Sequence, residues 1–118
     1  MDDLTRYAPD DFCYLTTTGR RSGNPHTIEI WFALSGRTLY MLSGGRDKSD
    51  WVRNVMRNPA VRVRLRDETY AAHARVVSDP AEDALARELV VGKYQPRDSD
   101  DLSDWGRTSL AVAVDISA

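Results

Sequence analysis

The chain has one cysteine and two histidines among its 118 residues. A single thiol closes no internal disulfide, so Cys13 points to a reducing setting, and a cytoplasmic location is expected. His26, His73 and Cys13 show no zinc-ligand spacing, so no metal is expected. No apolar run reaches the roughly 18 residues of a membrane span. The start, MDDL, lacks the basic and apolar regions of a secretory signal, so none is expected. The chain also lacks a G-x-S-x-G elbow, a Rossmann glycine fingerprint and a Cys/His couple, which removes the commonest hydrolase and dinucleotide readings. Asp98, Asp100, Asp101 and Asp104 have neither the spacing nor the closing glutamate of a calcium loop and read as a solvated segment.

What remains is an ordinary soluble balance, 42% apolar and 29% charged, in a length that fits one domain over residues 1–118. The net charge of −2 conceals an asymmetry. Residues 1–66 carry 11 basic and 7 acidic side chains, and residues 67–118 carry 5 and 11. Cations gathered in the first half suit an anionic ligand there, although a solvated surface with no ligand has the same composition.

Residues 12–18 (FCYLTTT) are β-branched and aromatic and read as a strand. The glycines, asparagine and proline of residues 19–25 mark a turn. Residues 27–34 (TIEIWFAL) alternate as one strand, and a tight turn at residues 35–37 leads to another over residues 38–43. After Gly44 and Gly45, the four-residue spacings of Trp51 with Val55 and Val52 with Met56 predict a helix over residues 48–57, capped by Asp47 or Ser49. Asn58-Pro59 ends it. Val61, Val63 and Leu65 alternate with Arg62, Arg64 and Arg66, so the next strand has a cationic face. A turn at Asp67-Glu68 precedes a strand over residues 70–76. Asp79-Pro80-Ala81-Glu82 is a capped helix start, and that helix is expected to stop at Gly92. Residues 95–104 read as loop, and residues 110–116 as the last strand. The sum is a mainly β, six-stranded antiparallel barrel with two or more flanking helices.

Two glycine-rich connections carry candidate chemistry. In the first, Gly19 and Gly23 let backbone N–H groups converge, Arg20 and Arg21 add fixed charge, Ser22 a hydroxyl, and His26 opens the next strand. In the second, Gly44 and Gly45 lead into a helix N-terminus, which favours anions. Either segment is also compatible with plain turn geometry. Arg62, Arg64 and Arg66 could follow a phosphate backbone, but the acidic second half argues against nucleic acid as a partner.

In this order, LTTTGRRSGNP (residues 15–25), SGG (43–45) and WVRNVMRNPAVRV (51–63) resemble the deazaflavin-dependent nitroreductase family. The resemblance implies a split β-barrel related to flavin oxidases. It implies coenzyme F420, whose tail carries a phosphate and several glutamates, with FMN or FAD as the alternative. It implies hydride transfer to a quinone, enone or nitro compound; a non-catalytic module for a flavin, haem or fatty acid is the competing reading. By the same resemblance Thr18, Arg20, Arg21, Ser22, Gly23 and His26 would hold the tail. Ser43, Gly44, Gly45, Trp51 and Asn54 would border the ring, and Tyr94 would stand for the tyrosines that donate a proton. The family often has an arginine where His26 stands and a lysine where Ser43 stands. A homodimer is a reasonable assembly for such a barrel.

Overall fold

A computed structural model describes residues 4–117. Seven strands form one antiparallel sheet: β1 (Cys13–Thr18), β2 (Pro25–Ile30), β3 (Ala33–Ser35), β4 (Thr38–Ser43), β5 (Ala60–Leu65), β6 (Glu68–Val76) and β7 (Leu110–Ile116). Their order is β2-β1-β5-β6-β7-β4-β3. The two edge strands are therefore consecutive in the chain, separated only by Trp31 and Phe32. Two residues span at most about 7 Å, far less than a flat seven-stranded sheet is wide. The sheet must curl until its edges approach, and it does so as a half-barrel.

That curl corrects the strand count. Residues 27–34 were expected as one strand, which gave six in all; they form parts of β2 and β3, which pair with different neighbours, β1 and β4. The inward alternation holds across the break. Ile28, Ile30, Phe32 and Leu34 all pack in the interior, Phe32 completely buried. Trp31 and Ala33 face outward into a second cluster. Side chains alternate faces whether or not the ladder is continuous, so the pattern conceals the change of partner.

The interior cluster contains Leu15, Leu39, Met41, Val63, Leu65, Val112 and Val114. Leu4 and Tyr7 of a short 3-10 turn cover part of it, and α1 (Asp50–Arg57) covers another part with Val52 and Val55. Ser49 occupies the cap position of α1, without a side-chain capping bond.

Outside the sheet, α2 (Pro80–Tyr94) and α3 (Ser103–Thr108) bury Tyr40, Leu42, Ala86, Val90 and Leu102. The α2 start behaves as expected, with the Asp79 carboxylate accepting from the Glu82 N–H at 3.0 Å. Its end does not: the helix passes through Gly92 to Tyr94, which is buried and holds the last turn against the barrel. The expected loop over residues 95–104 contains a 3-10 turn, Gln95–Arg97, and the start of α3. Gly106 lies in α3, where an added Cβ would run into Val91 of α2. The close approach of α3 to α2 thus leaves no room for a side chain at Gly106. The β5–β6 turn falls on Arg66 and Asp67, one residue earlier than expected, since Leu65 pairs with Glu68.

Candidate functional site

The 19–25 turn and α1 are far apart in the chain and meet at one end of the barrel. Asn54 joins them. Its Oδ1 accepts from the Arg20 N–H at 3.1 Å and from Arg20 Nη1 at 2.9 Å. Its Nδ2 donates to Thr17 Oγ1 at 3.2 Å. Asn54 and Thr17 are 4% and 1% exposed, so these bonds satisfy groups that water does not reach. Arg20 then extends to Asp50, with Nη2 at 3.1 Å from Oδ1.

Within the turn, the Gly19 N–H donates to Asn24 O at 2.8 Å and the Gly23 N–H to Gly19 O at 2.9 Å. The Asn24 N–H donates to Ser22 Oγ at 3.1 Å. Gly23 has φ +74°, which glycine adopts without penalty. A Cβ on Gly19 would lie 2.7 Å from His26 Nε2 and 2.8 Å from Ser22 Oγ, so glycine is what lets both side chains close over the turn. Among the described residues, neither the Arg21 and Ser22 backbone N–H groups nor the Arg21 guanidinium make a hydrogen bond.

Those groups border an open groove of about 600 Å³ between the turn, β2 and α1. Arg20, Arg21, Ser22, His26, Trp51 and Asn54, all candidates from sequence, line it together. Thr27, Ile28 and Asp50 also line it and were not anticipated. Thr17 takes the place expected for Thr18. Strand alternation sends Thr17 to the same face as Cys13 and Leu15, a signal that was present in the sequence.

Gly23, Ser43, Gly44 and Gly45 do not line the groove. Ser43 Oγ donates to Arg46 O at 3.0 Å and lies 2.7 Å from Ser49 Oγ, so it staples the loop that enters α1. A Cβ on Gly44 would stand 3.4 Å from the Trp105 indole nitrogen, and one on Gly45 would collide with Ser49 Oγ. These residues shape the approach to α1.

Tyr94 is elsewhere. Its ring stacks on Trp31 at 4.2 Å and 4°. Its hydroxyl donates to Asp11 O at 2.7 Å, lies 3.0 Å from Phe32 O, and accepts from the Phe32 N–H at 3.0 Å. Burial pushes its pKa up to about 12. The hydroxyl pins the β2–β3 crossover, outside the groove that the other candidates line. Lys93 reinforces the same point, donating to Phe32 O at 2.8 Å. The expected arginine stripe also divides: Arg64 packs over the Tyr14 ring, whereas Arg66 turns away to pair with Asp10 at 2.9 Å.

The donors suit an anionic, ring-bearing coenzyme. Two adjacent free amides and an arginine match phosphate oxygens, and Trp51 offers an apolar wall. Comparison with known proteins agrees. The profile of the F420H(2)-dependent quinone reductase family matches residues 4–116. An F420-H2-dependent reductase of known structure is 23% identical with TM-score 0.73, covering 90% of this chain and 95% of that one. A domain-swapped dimer gives 23% and 0.73 over 90% and 81%. The haem storage protein HutZ from Vibrio cholerae gives 16% and 0.70 over 98% and 88%.

Proposed function

The chain belongs to the F420H2-dependent quinone reductase family, and on that premise we propose that the groove between the 19–25 turn and α1 holds the coenzyme, with its anionic tail on Arg21. The protein is an oxidoreductase whose cofactor is F420. The reduced deazaflavin supplies a hydride when bound; the protein's share is to bind, orient and exclude water.

The observation that carries the placement is the set on the turn without a partner among the described residues, Arg21 and the Arg21 and Ser22 amides, on residues that line the groove. Ser22 and His26 add polar contacts beside them. Arg20 and Asn54 act through the turn, fixing its distance from α1, and Trp51 walls the ring. Ser43, Gly44 and Gly45 contribute by bringing the loop tightly into α1.

The family points to a quinone as acceptor; an enone or a nitro compound is the further acceptor class we propose. Residues 1–118 are read as one domain, supported by a single continuous sheet. The buried, unbridged Cys13 supports a cytoplasmic setting. No helix among the described residues is long and apolar enough to cross a membrane. A homodimer is supported by the similarity to a domain-swapped dimer and by the exposed Phe12 beside β1.

Titration of the purified protein with F420, FMN, FAD and haem, followed by fluorescence or absorbance, tests the coenzyme. Oxidation of F420H2 against menadione, an enone and a nitroimidazole then ranks the acceptors. Arg21→Ala is expected to weaken F420 binding by about 1.5–3 kcal/mol, the scale of a charged hydrogen bond, without lowering Tm. Unchanged affinity in that variant removes the tail from this turn.

A further inference from the structure

The groove contains one group that works against an anionic ligand. Asp50, the first residue of α1, lines it with a side chain 86% exposed. Burial therefore does not account for its presence. Its Oδ1 lies 3.1 Å from Arg20 Nη2, and its backbone carbonyl is 3.5 Å from Arg20 Nη1. Arg20 also gives its backbone N–H and Nη1 to Asn54. The first arginine of the turn is thus matched in charge and largely committed in hydrogen bonds. Of the two arginines, Arg21 alone keeps its charge for a ligand.

An exposed ion pair and an acid in the first turn of a helix each stabilise a fold only weakly, and asparagine would retain an acceptor for Arg20. The larger consequence concerns the field inside the groove. A carboxylate beside the anion site repels the incoming tail directly and cancels the pull of Arg20. Both effects act through solvent, so they are modest and sensitive to salt.

We propose that Asp50 is an affinity- and specificity-determining residue. It neutralises Arg20 so that Arg21 is the one arginine of the turn whose charge attracts the anionic tail, which sets an upper limit on affinity for highly charged ligands. This rests on the placement of the tail proposed above. The deazaflavin bearing only its uncharged ribityl chain enters the same groove without meeting that limit.

Fluorescence titration of wild type, Asp50→Asn, Asp50→Ser and Arg21→Ala with F420, and with the uncharged ribityl deazaflavin, tests it. At low ionic strength both Asp50 variants are expected to bind F420 about three- to tenfold more tightly, the range for removing one water-exposed charge about 4 Å away. The gain is expected to fall close to onefold near 1 M salt, where screening acts over about 3 Å. Affinity for the uncharged fragment stays unchanged. If both Asp50 variants bind F420 equally or more weakly while Arg21→Ala still loses affinity, the proposal is overturned and the tail placement stands. If the uncharged fragment gains as much as F420, Asp50 acts by shape, and the proposal is again overturned. If Arg21→Ala binds F420 as wild type does, the tail lies elsewhere and both readings fall. Thermal melts of the four proteins confirm that folded states are compared.

Discussion

At the scale of single residues, neighbours in sequence divide into those tied into the fold and those left open on its surface. Arg20 and Arg21 are adjacent and chemically identical, yet one is tied to Asn54 and Asp50 and the other is free among the described residues. Arg20→Ala is therefore expected to lower both Tm and coenzyme affinity, whereas Arg21→Ala lowers affinity alone. Thermal melts beside titrations separate the two. The contacts of Tyr94 are with the fold. Tyr94→Phe keeps the stack on Trp31 but leaves the buried Phe32 N–H without the hydroxyl that accepts from it. It is expected to cost about 1–3 kcal/mol in denaturant unfolding and to leave the pH dependence of turnover where it was. A displaced pH profile would return Tyr94 to the chemistry. Cys13 is 1% exposed, and burial pushes its thiol up to about 12. It should resist alkylation at neutral pH in the folded protein and react once the protein unfolds.

At the scale of elements, the attachment of α2 to the sheet is electrostatic at its first turn. Arg75 of β6 gives Nη1 to Glu82 Oε1 at 2.6 Å and Nε to Asp115 Oδ2 at 2.8 Å. Tyr40 of β4 donates to Glu82 Oε2 at 2.7 Å. These bonds, from Arg75 first and then Tyr40, hold Glu82 down at about 2, against an ordinary 4.5. A carboxylate with a depressed pKa stabilises the fold fully above its ordinary value and loses that contribution as pH falls toward the folded one. The wild type should therefore lose about 1–3 kcal/mol between pH 4.5 and 2 through this group. In Glu82→Gln that part of the acid-unfolding curve should flatten, and stability at neutral pH should be lower from the outset. The Asp115 carboxylate is also held low, chiefly by Arg75, and adds to the same slope in both proteins.

At the scale of the whole molecule, the crossover from β2 to β3 closes the sheet, and aromatic packing holds it. Trp31 stacks on Tyr94 of α2 and meets Trp105 of α3 edge-on at 5.7 Å, so the crossover and both outer helices share one cluster. Trp31→Ala is expected to cost about 3 kcal/mol, and the effect should appear as a single cooperative loss of stability in chemical denaturation. A second transition, with the groove end unfolding separately, would deny that the barrel closes as a unit. Much of this organisation was legible from local chemistry. Alternation marked the inward face through Ile28, Ile30, Phe32 and Leu34, and Asp79-Pro80 with Glu82 marked the start of α2, because side-chain direction and capping depend on near neighbours. The glycines and arginines of the 19–25 turn marked a candidate anion site for the same reason. Local chemistry could not show that residues 27–34 change partners midway, that α3 forms under α2, or that Asn54 clamps Arg20 to Thr17. Each depends on contacts between segments distant in sequence. The sequence alone therefore determined which turn is basic, which faces are apolar and which family pattern the chain follows. Only the tertiary structure decided which arginine is left free among the described residues, which threonine meets Asn54, that Tyr94 pins the β2–β3 crossover, and that Asp50 stands in the groove, because burial and charge pairing are properties of the closed barrel.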